Sequence, residues 1–252
     1  MFISHLYLRS LAALALAALS ACAWLSPRPA LDATVFPQID RAIEKAIAEG
    51  RTPGAAFWLE RQHSIFTRTY GTLAPAPGAM PVDANTLYDA ASLTKVVVTA
   101  TAVQLLIDDG RLGYEDRLVK RIPECTGGDR DALTLRHLLT HTSGLNAGLP
   151  RIPAWRGTAA ALQRACALEP THLPGTFFRY SDVNFILLGF VVQRAAGELL
   201  DVFAEERIFA PLGMRHSGYH PLKRFPASRI APTQRTAPDT GDSLHFDLPR
   251  EH

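Results

Sequence analysis

Apolar residues along the chain fall into a few periodic runs separated by turn residues. Residues 38–49 place Ile39, Ile43 and Ile47 four apart, one apolar stripe of a helix, and Gly50 ends it. Residues 54–60 and 64–70 are two β-rich runs divided by Arg61-Gln62-His63 and closed by Gly71, the pattern of a hairpin. A loop rich in Pro, Gly and Ala follows over 74–81. From Ser92 to Asp109 the spacing of Val96, Ala100, Val103 and Ile107 predicts a long helix, stopped by Gly110. Its β-branched content is high, so burial must override weak helical propensity. Thr134 caps a predicted short helix through Thr140, and Thr158 caps another through Leu168. Residues 183–196 predict a strongly apolar helix ending at Gly197, and 199–209 one more. After Ile230 the sequence turns polar and Pro-rich, with no periodic element. A hairpin followed by many helices, without an internal repeat, is an α+β layout.

The amino-terminal stretch has a different character. Arg9 precedes an apolar run, Leu11 to Leu19, and then comes Leu19-Ser20-Ala21-Cys22. A basic start, a short apolar core and small residues are the marks of a secretory signal over residues 1–21. The run is shorter than the roughly 18 apolar residues a bilayer span needs. Its last four residues resemble a bacterial lipobox, which implies that Cys22 becomes a lipidated first residue. Ala21-Cys22-Ala23 also fits ordinary cleavage after Ala23. Residues 22–37, with Pro27, Pro29 and Pro37, are expected to be a tether. The expected location is the periplasm or cell envelope, with a lipid anchor to the membrane.

Composition narrows the function classes. The 252 residues are 47% hydrophobic and 20% charged, ordinary values for a globular chain with a real core. The formal net charge is +2 and no run of five like charges occurs, so an electrostatic footprint for nucleic acid is absent. Cys125 and Cys166 remain besides Cys22, and they fit either a disulfide in an oxidising compartment or two buried thiols. His137 and His141 are four apart, a zinc spacing, but Leu138 stands where a zinc protease needs Glu. Neither a dinucleotide-binding nor a phosphate-loop glycine pattern is present, so no nucleotide reading survives; the expectation is no metal and no cofactor.

The chemistry centres on Ser92-Leu93-Thr94-Lys95. A serine hydroxyl is a weak nucleophile and needs an adjacent base. Positions three apart share a helix face, so Lys95 can bring its amine beside the Ser92 oxygen. Ser92 also stands at the expected helix start, where free N–H groups favour developing negative charge. A desolvated lysine can give up its proton and act as base. Further on, Tyr180-Ser181-Asp182 follows a Pro174-Gly175 turn and precedes the apolar helix. A phenol with its pKa lowered by Lys95 can shuttle a proton to a leaving group.

These residues resemble the serine β-lactamase and penicillin-binding protein superfamily, in its class C and esterase-like branch. Ser-x-x-Lys and Tyr-Ser-Asp stand in the family's order. The segments 88–95, 105–112, 133–145 and 211–214 also look like the family's, so the likeness runs from about residue 38 to 232. It implies an antiparallel sheet flanked by helices (an α/β sandwich) and one domain over 38–252. It implies Ser92, Lys95 and Tyr180 as catalytic residues and Asp182 as a substrate contact. Asp182 stands where the family more often has Asn, and an ionised Asp cannot donate a hydrogen bond to substrate. The implied reaction is acyl-enzyme hydrolysis of a β-lactam, a D-Ala-D-Ala peptide or a small ester.

A third family motif, Lys-Thr-Gly or His-x-Gly on a late strand, has no clear counterpart. His141-Thr142-Ser143-Gly144 precedes Tyr180 and has the wrong order. His216-Ser217-Gly218 has the right order but no strand pattern behind it. The expectation is therefore a domain whose last strands are missing. A fragment or frameshifted sequence accounts for this best; a degenerate relative, or a fold completed by a partner, would also account for it. The alternative function is a lipid-tethered relic that binds cell-wall fragments or a partner without turnover.

Overall fold

The computed structural model describes residues 31–235 and 245–247. The signal segment, Cys22, most of the expected tether and most of the polar tail lie outside the described residues. The chain divides into two compact units, Met1–Thr86 and Leu87–His252.

In the first unit, helix α1 (Phe36–Ala48) has Pro37 in its first turn, where a missing N–H costs nothing. Strands β1 (Gly54–Arg61) and β2 (Ser64–Gly71) pair antiparallel, from Gly54 opposite Gly71 to Arg61 opposite Ser64. The expected hairpin is present. Its two-residue turn puts both Gln62 and His63 at positive φ, the geometry that matches strand twist. Phe36 stacks on Phe66 at 3.7 Å, and Asp40 accepts hydrogen bonds from Arg68 (2.9 Å) and Tyr70 (2.7 Å). These contacts seat α1 on the hairpin.

The second unit is mainly helical. The helix that follows Ser92 contains a π-helical segment, Lys95–Ala100, and continues as α2 (Thr101–Asp108). The helix predicted from Ser92 to Asp109 is present, with this local change of pitch. Thr101 Oγ1 donates to the Val96 carbonyl (2.9 Å) beside the run Val96-Val97-Val98-Thr99, and such departures from α-geometry gather at functional sites. Short helices α3 (Leu118–Arg121) and α4 (Leu135–Leu139) follow. Thr134 caps α4 as expected. Its hydroxyl accepts the His137 N–H, and His137 Nδ1 accepts the Thr134 N–H, both at 3.3 Å. In α5 (Thr158–Cys166) the cap is Gly157, and Thr158 is the first helical residue rather than the cap.

Helix α6 (Asp182–Ala196) is the axis of this unit. Val183, Leu187, Leu188, Val191 and Val192 are all buried, which takes in more than one face. A helix apolar on several sides is one surrounded by others. It contacts α2, α3, α4, α5, the π-helical segment and α7 (Leu200–Ala204). Gly197 ends it at φ 82°, a left-handed cap that glycine adopts without steric penalty. Cys125 and Cys166 form a disulfide, which resolves the two readings of these thiols and ties the turn at Pro123–Cys125 to α5.

Past α8 (Pro221–Arg224), strands β3 (Thr233–Arg235) and β4 (His245–Asp247) pair antiparallel, where no element was expected. Three residues are too few for an alternation to show in a sequence. The fold is α+β, as expected, and the described sheets are two-stranded. Among the described residues no single helix is long and apolar enough to cross a membrane.

Candidate active site

The segment leading to Ser92 is held on both sides of Leu87. The Leu87 N–H donates to the Arg229 carbonyl (2.7 Å), and the Leu87 carbonyl accepts from Ala231 (2.8 Å). Asp89 then accepts the Ala91 N–H (2.8 Å), and Ala91 turns into the left-handed region at φ 43°. A residue with a β-carbon is disfavoured there, so the turn is held by its surroundings. The N–H groups of Leu93, Thr94 and Lys95 donate to Ala90, Ala91 and Ser92 at 2.9–3.1 Å. Ser92 is exposed at the mouth of this first turn.

Lys95 points back over the turn, with Nζ 3.3 Å from Ser92 Oγ. The same ammonium is 2.7 Å from Asp182 Oδ1 and lies 5.0 Å from the centre of the Tyr180 ring. The Lys95 side chain is only 15% exposed, whereas Asp182 is 58% exposed. Ser92, Lys95, Tyr180 and Asp182 therefore meet in one place, all within the second unit.

Desolvation works against the charge on Lys95, but the hydrogen bonds to Asp182 and Tyr180 and the negative charge of Asp182 outweigh it. Its pKa is raised above the ordinary lysine value. This direction is opposite to the one desolvation alone would give, because the Asp182 carboxylate and the Tyr180 hydroxyl both bond the ammonium. Tyr180 moves the other way. Lys95, and then Ser92, beside its hydroxyl pull the phenol below its ordinary value. A charged amine next to a phenol of lowered pKa and a serine hydroxyl can polarise that hydroxyl and accept its proton on the phenolate.

His141 is the residue whose place here the sequence did not reveal. It belongs to the His141-Thr142-Ser143-Gly144 turn and adopts φ 57°. Its ring lies 4.6 Å from that of Tyr180 and 5.1 Å from that of Phe185. Its Nδ1 accepts the Ser181 N–H at 3.1 Å and lies 3.3 Å from the Asn184 amide. Asn184 is fully buried and accepts from Ser143 at 2.6 Å. The only advance signals were a histidine, a glycine turn and a segment resembling the family's. With His137 in the α4 cap and His141 behind Tyr180, the zinc spacing is used for hydrogen bonding. No group of metal-ligating side chains occurs among the described residues.

The other candidate for the third motif, His216-Ser217-Gly218, lines a cavity of about 640 Å³ with Ala91, Leu93 and Val97. Ser92, Lys95 and Tyr180 are not among its walls. That segment shares its cavity with Ala90, Ala91, Leu93 and Thr94, the residues on either side of Ser92.

The chain is α+β, and it brings Ser92, Lys95, Tyr180 and Asp182 together at the start of one helix and the start of another. The Beta-lactamase family model matches residues 39–251, and the chain belongs to that family. An Escherichia coli (strain K12) protein named "Putative D-alanyl-D-alanine carboxypeptidase" is 32% identical over 230 residues, 83% of this chain and 53% of that protein. The chain thus spans about half the length of the curated relatives it matches. Among solved structures, a class C beta-lactamase superposes with a TM-score of 0.68 at 25% identity, over 79% of this chain and 55% of that one. The D-alanine carboxypeptidase AmpC from Burkholderia cenocepacia gives 0.64 at 26% identity, over 79% and 54%.

Proposed function

We propose that this protein is a serine hydrolase that works through an acyl-enzyme on Ser92. The observation that carries the reading is the meeting of Ser92 Oγ, the Lys95 ammonium and Asp182 within 3.3 Å and 2.7 Å contacts beside Tyr180. Tyr180, as the phenolate favoured by the neighbouring Lys95 charge, takes the Ser92 proton. Ser92 Oγ attacks the substrate carbonyl, and the oxyanion is received by backbone N–H groups, that of Ser92 included. Tyr180 returns the proton to the leaving group, and water then releases the acyl group. Lys95 stays charged throughout as the electrostatic partner of the phenolate, and Asp182 holds it in place.

The substrate class proposed is a peptide ending in D-Ala-D-Ala, with β-lactams as acylating analogues and small esters as alternatives. The names of the relatives support this choice. Export, lipidation at Cys22 and residence at the cell envelope belong to the same reading. The Cys125–Cys166 disulfide supports it, since disulfides persist in oxidising compartments.

The test is labelling with a fluorescent penicillin and a fluorophosphonate probe, comparing wild type with Ser92→Ala and Tyr180→Phe. Labelling lost in Ser92→Ala and reduced about a hundredfold or more in Tyr180→Phe is expected. Folded wild-type protein that takes neither probe would overturn the hydrolase and favour a binding protein without turnover.

A further inference from the structure

Tyr180 is 47% exposed, so burial alone does not fix its ring. Something else must hold the phenol over Lys95. The backbone on either side of it is gripped by one residue. The His141 carbonyl accepts the Arg179 N–H at 2.8 Å, and His141 Nδ1 accepts the Ser181 N–H at 3.1 Å. Between these two bonds the imidazole packs against the Tyr180 ring, 4.6 Å between centroids and 41° between planes. We propose that His141 is a positioning residue that clamps the chain on both sides of Tyr180 and backs its ring, so that the phenol stays at the Lys95 ammonium and the Ser92 hydroxyl. The consequence for catalysis rests on the hydrolase reading above; the effect on the phenol rests on geometry alone.

Three features support the clamp. His141 adopts φ 57°, a conformation that a β-carbon disfavours and that only surrounding contacts maintain. The turn behind it is closely packed. A β-carbon added at Gly144 would stand 2.2 Å from the His172 carbonyl, and the Gly144 carbonyl accepts from Thr171 at 2.9 Å. The acceptor role also fixes the chemistry of the imidazole. An Nδ1 that faces the Ser181 N–H and the Asn184 amide must be unprotonated, so the proton sits on Nε2. Burial, and then the charge of Lys95, lower the pKa of His141, while the carboxylate of Asp182 pulls the other way. With Tyr180, these are the titratable groups that face it.

Two substitutions separate the parts of the clamp. His141→Phe keeps a ring and removes the Nδ1 acceptor. His141→Asn tolerates the left-handed backbone and offers a carbonyl acceptor, but removes the ring. The phenol is followed by ultraviolet difference titration against Tyr180→Phe in each background, which isolates Tyr180 from the other tyrosines. The expected result is a rise of the Tyr180 midpoint toward the ordinary tyrosine range in His141→Phe, with partial recovery in His141→Asn. Ser92 labelling by the fluorophosphonate should fall about tenfold or more in His141→Phe, the scale of a mispositioned catalytic group.

A Tyr180 midpoint unchanged in both folded variants would overturn the proposal. Imidazole nitrogen NMR on the wild-type protein needs no variant. The Nε2–H tautomer of His141 is expected at neutral pH, and an Nδ1–H tautomer would overturn the clamp. Wild type that resists labelling while its Tyr180 midpoint still depends on His141 would sink the hydrolase and leave the clamp standing.

Discussion

Lys95 is subject to two opposed influences, and Asp182 decides between them. Desolvation alone would lower the amine's pKa; the carboxylate at 2.7 Å, together with the Tyr180 hydroxyl, reverses the sign. Asp182→Asn removes the contributions of Asp182 that raise Lys95 and leaves desolvation and the influence of Tyr180 in place, so the Lys95 pKa should fall. Asp182 also raises the Tyr180 phenol by its negative charge, so that pKa should fall too. Both limbs of the pH profile for Ser92 labelling then move to lower pH, because less alkali is needed to form the phenolate and to neutralise the lysine. Labelling rates between about pH 5 and pH 11 test this, and an optimum displaced upward would contradict it. Much of this site was legible in the sequence. Ser92 and Lys95 stand three apart, which forces proximity on one helical turn, and Tyr180-Ser181-Asp182 precedes an apolar helix. The sign of the lysine shift was not legible, because it depends on how closely a residue 87 positions away approaches. Nor was the place of His141, which follows from a left-handed backbone angle and a hydrogen bond across 40 residues.

At the scale of elements, pattern and structure agree where a helix has caps and a continuous stripe. α6 ends at Gly197 as expected, and its start at Asp182 follows from the Ser181 hydroxyl, which accepts the Asn184 N–H at 3.4 Å. The hairpin follows from two β-rich runs with a tight turn between them. Agreement fails where a local hydrogen bond changes the helical pitch, as Thr101 does at Val96, and where strands are only three residues long. The disulfide is an element-level link, since two cysteines at positions 125 and 166 carry no pairing information in their spacing. It closes a loop with a sequence separation of 41. Chain-entropy arguments put the stabilisation from such a loop at about 4 kcal/mol, less any strain. A Cys125→Ala/Cys166→Ala variant should lose roughly 2–4 kcal/mol in urea unfolding. The wild type with reductant should lose a similar amount, and the variant nothing further. Equal midpoints with and without reductant in the wild type would show that the bridge contributes nothing.

For the molecule as a whole, one helix joins scaffold and site. The proposed catalytic groups lie in the unit beginning at Leu87, and α6 runs through that unit with Tyr180 and Asp182 at its amino-terminal end. Leu187, 1% exposed, sits one and a half turns further along, in the cluster with Leu106, Leu138 and Phe203. Truncating a buried leucine leaves a cavity and costs about 2–5 kcal/mol. The cost falls on the folded state as a whole when unfolding is cooperative. The geometry at Ser92, by contrast, is set by local bonds: the Leu87 ladder, the Asp89 turn and the Lys95–Asp182 pair. Leu187→Ala should therefore lower the unfolding free energy by that amount while leaving Ser92 labelling per folded molecule within about twofold of wild type. Denaturant unfolding and probe labelling on the same preparation measure both. A large loss of labelling in Leu187→Ala below its unfolding transition would mean that core packing, and not the local bonds, sets the position of Tyr180 over Lys95.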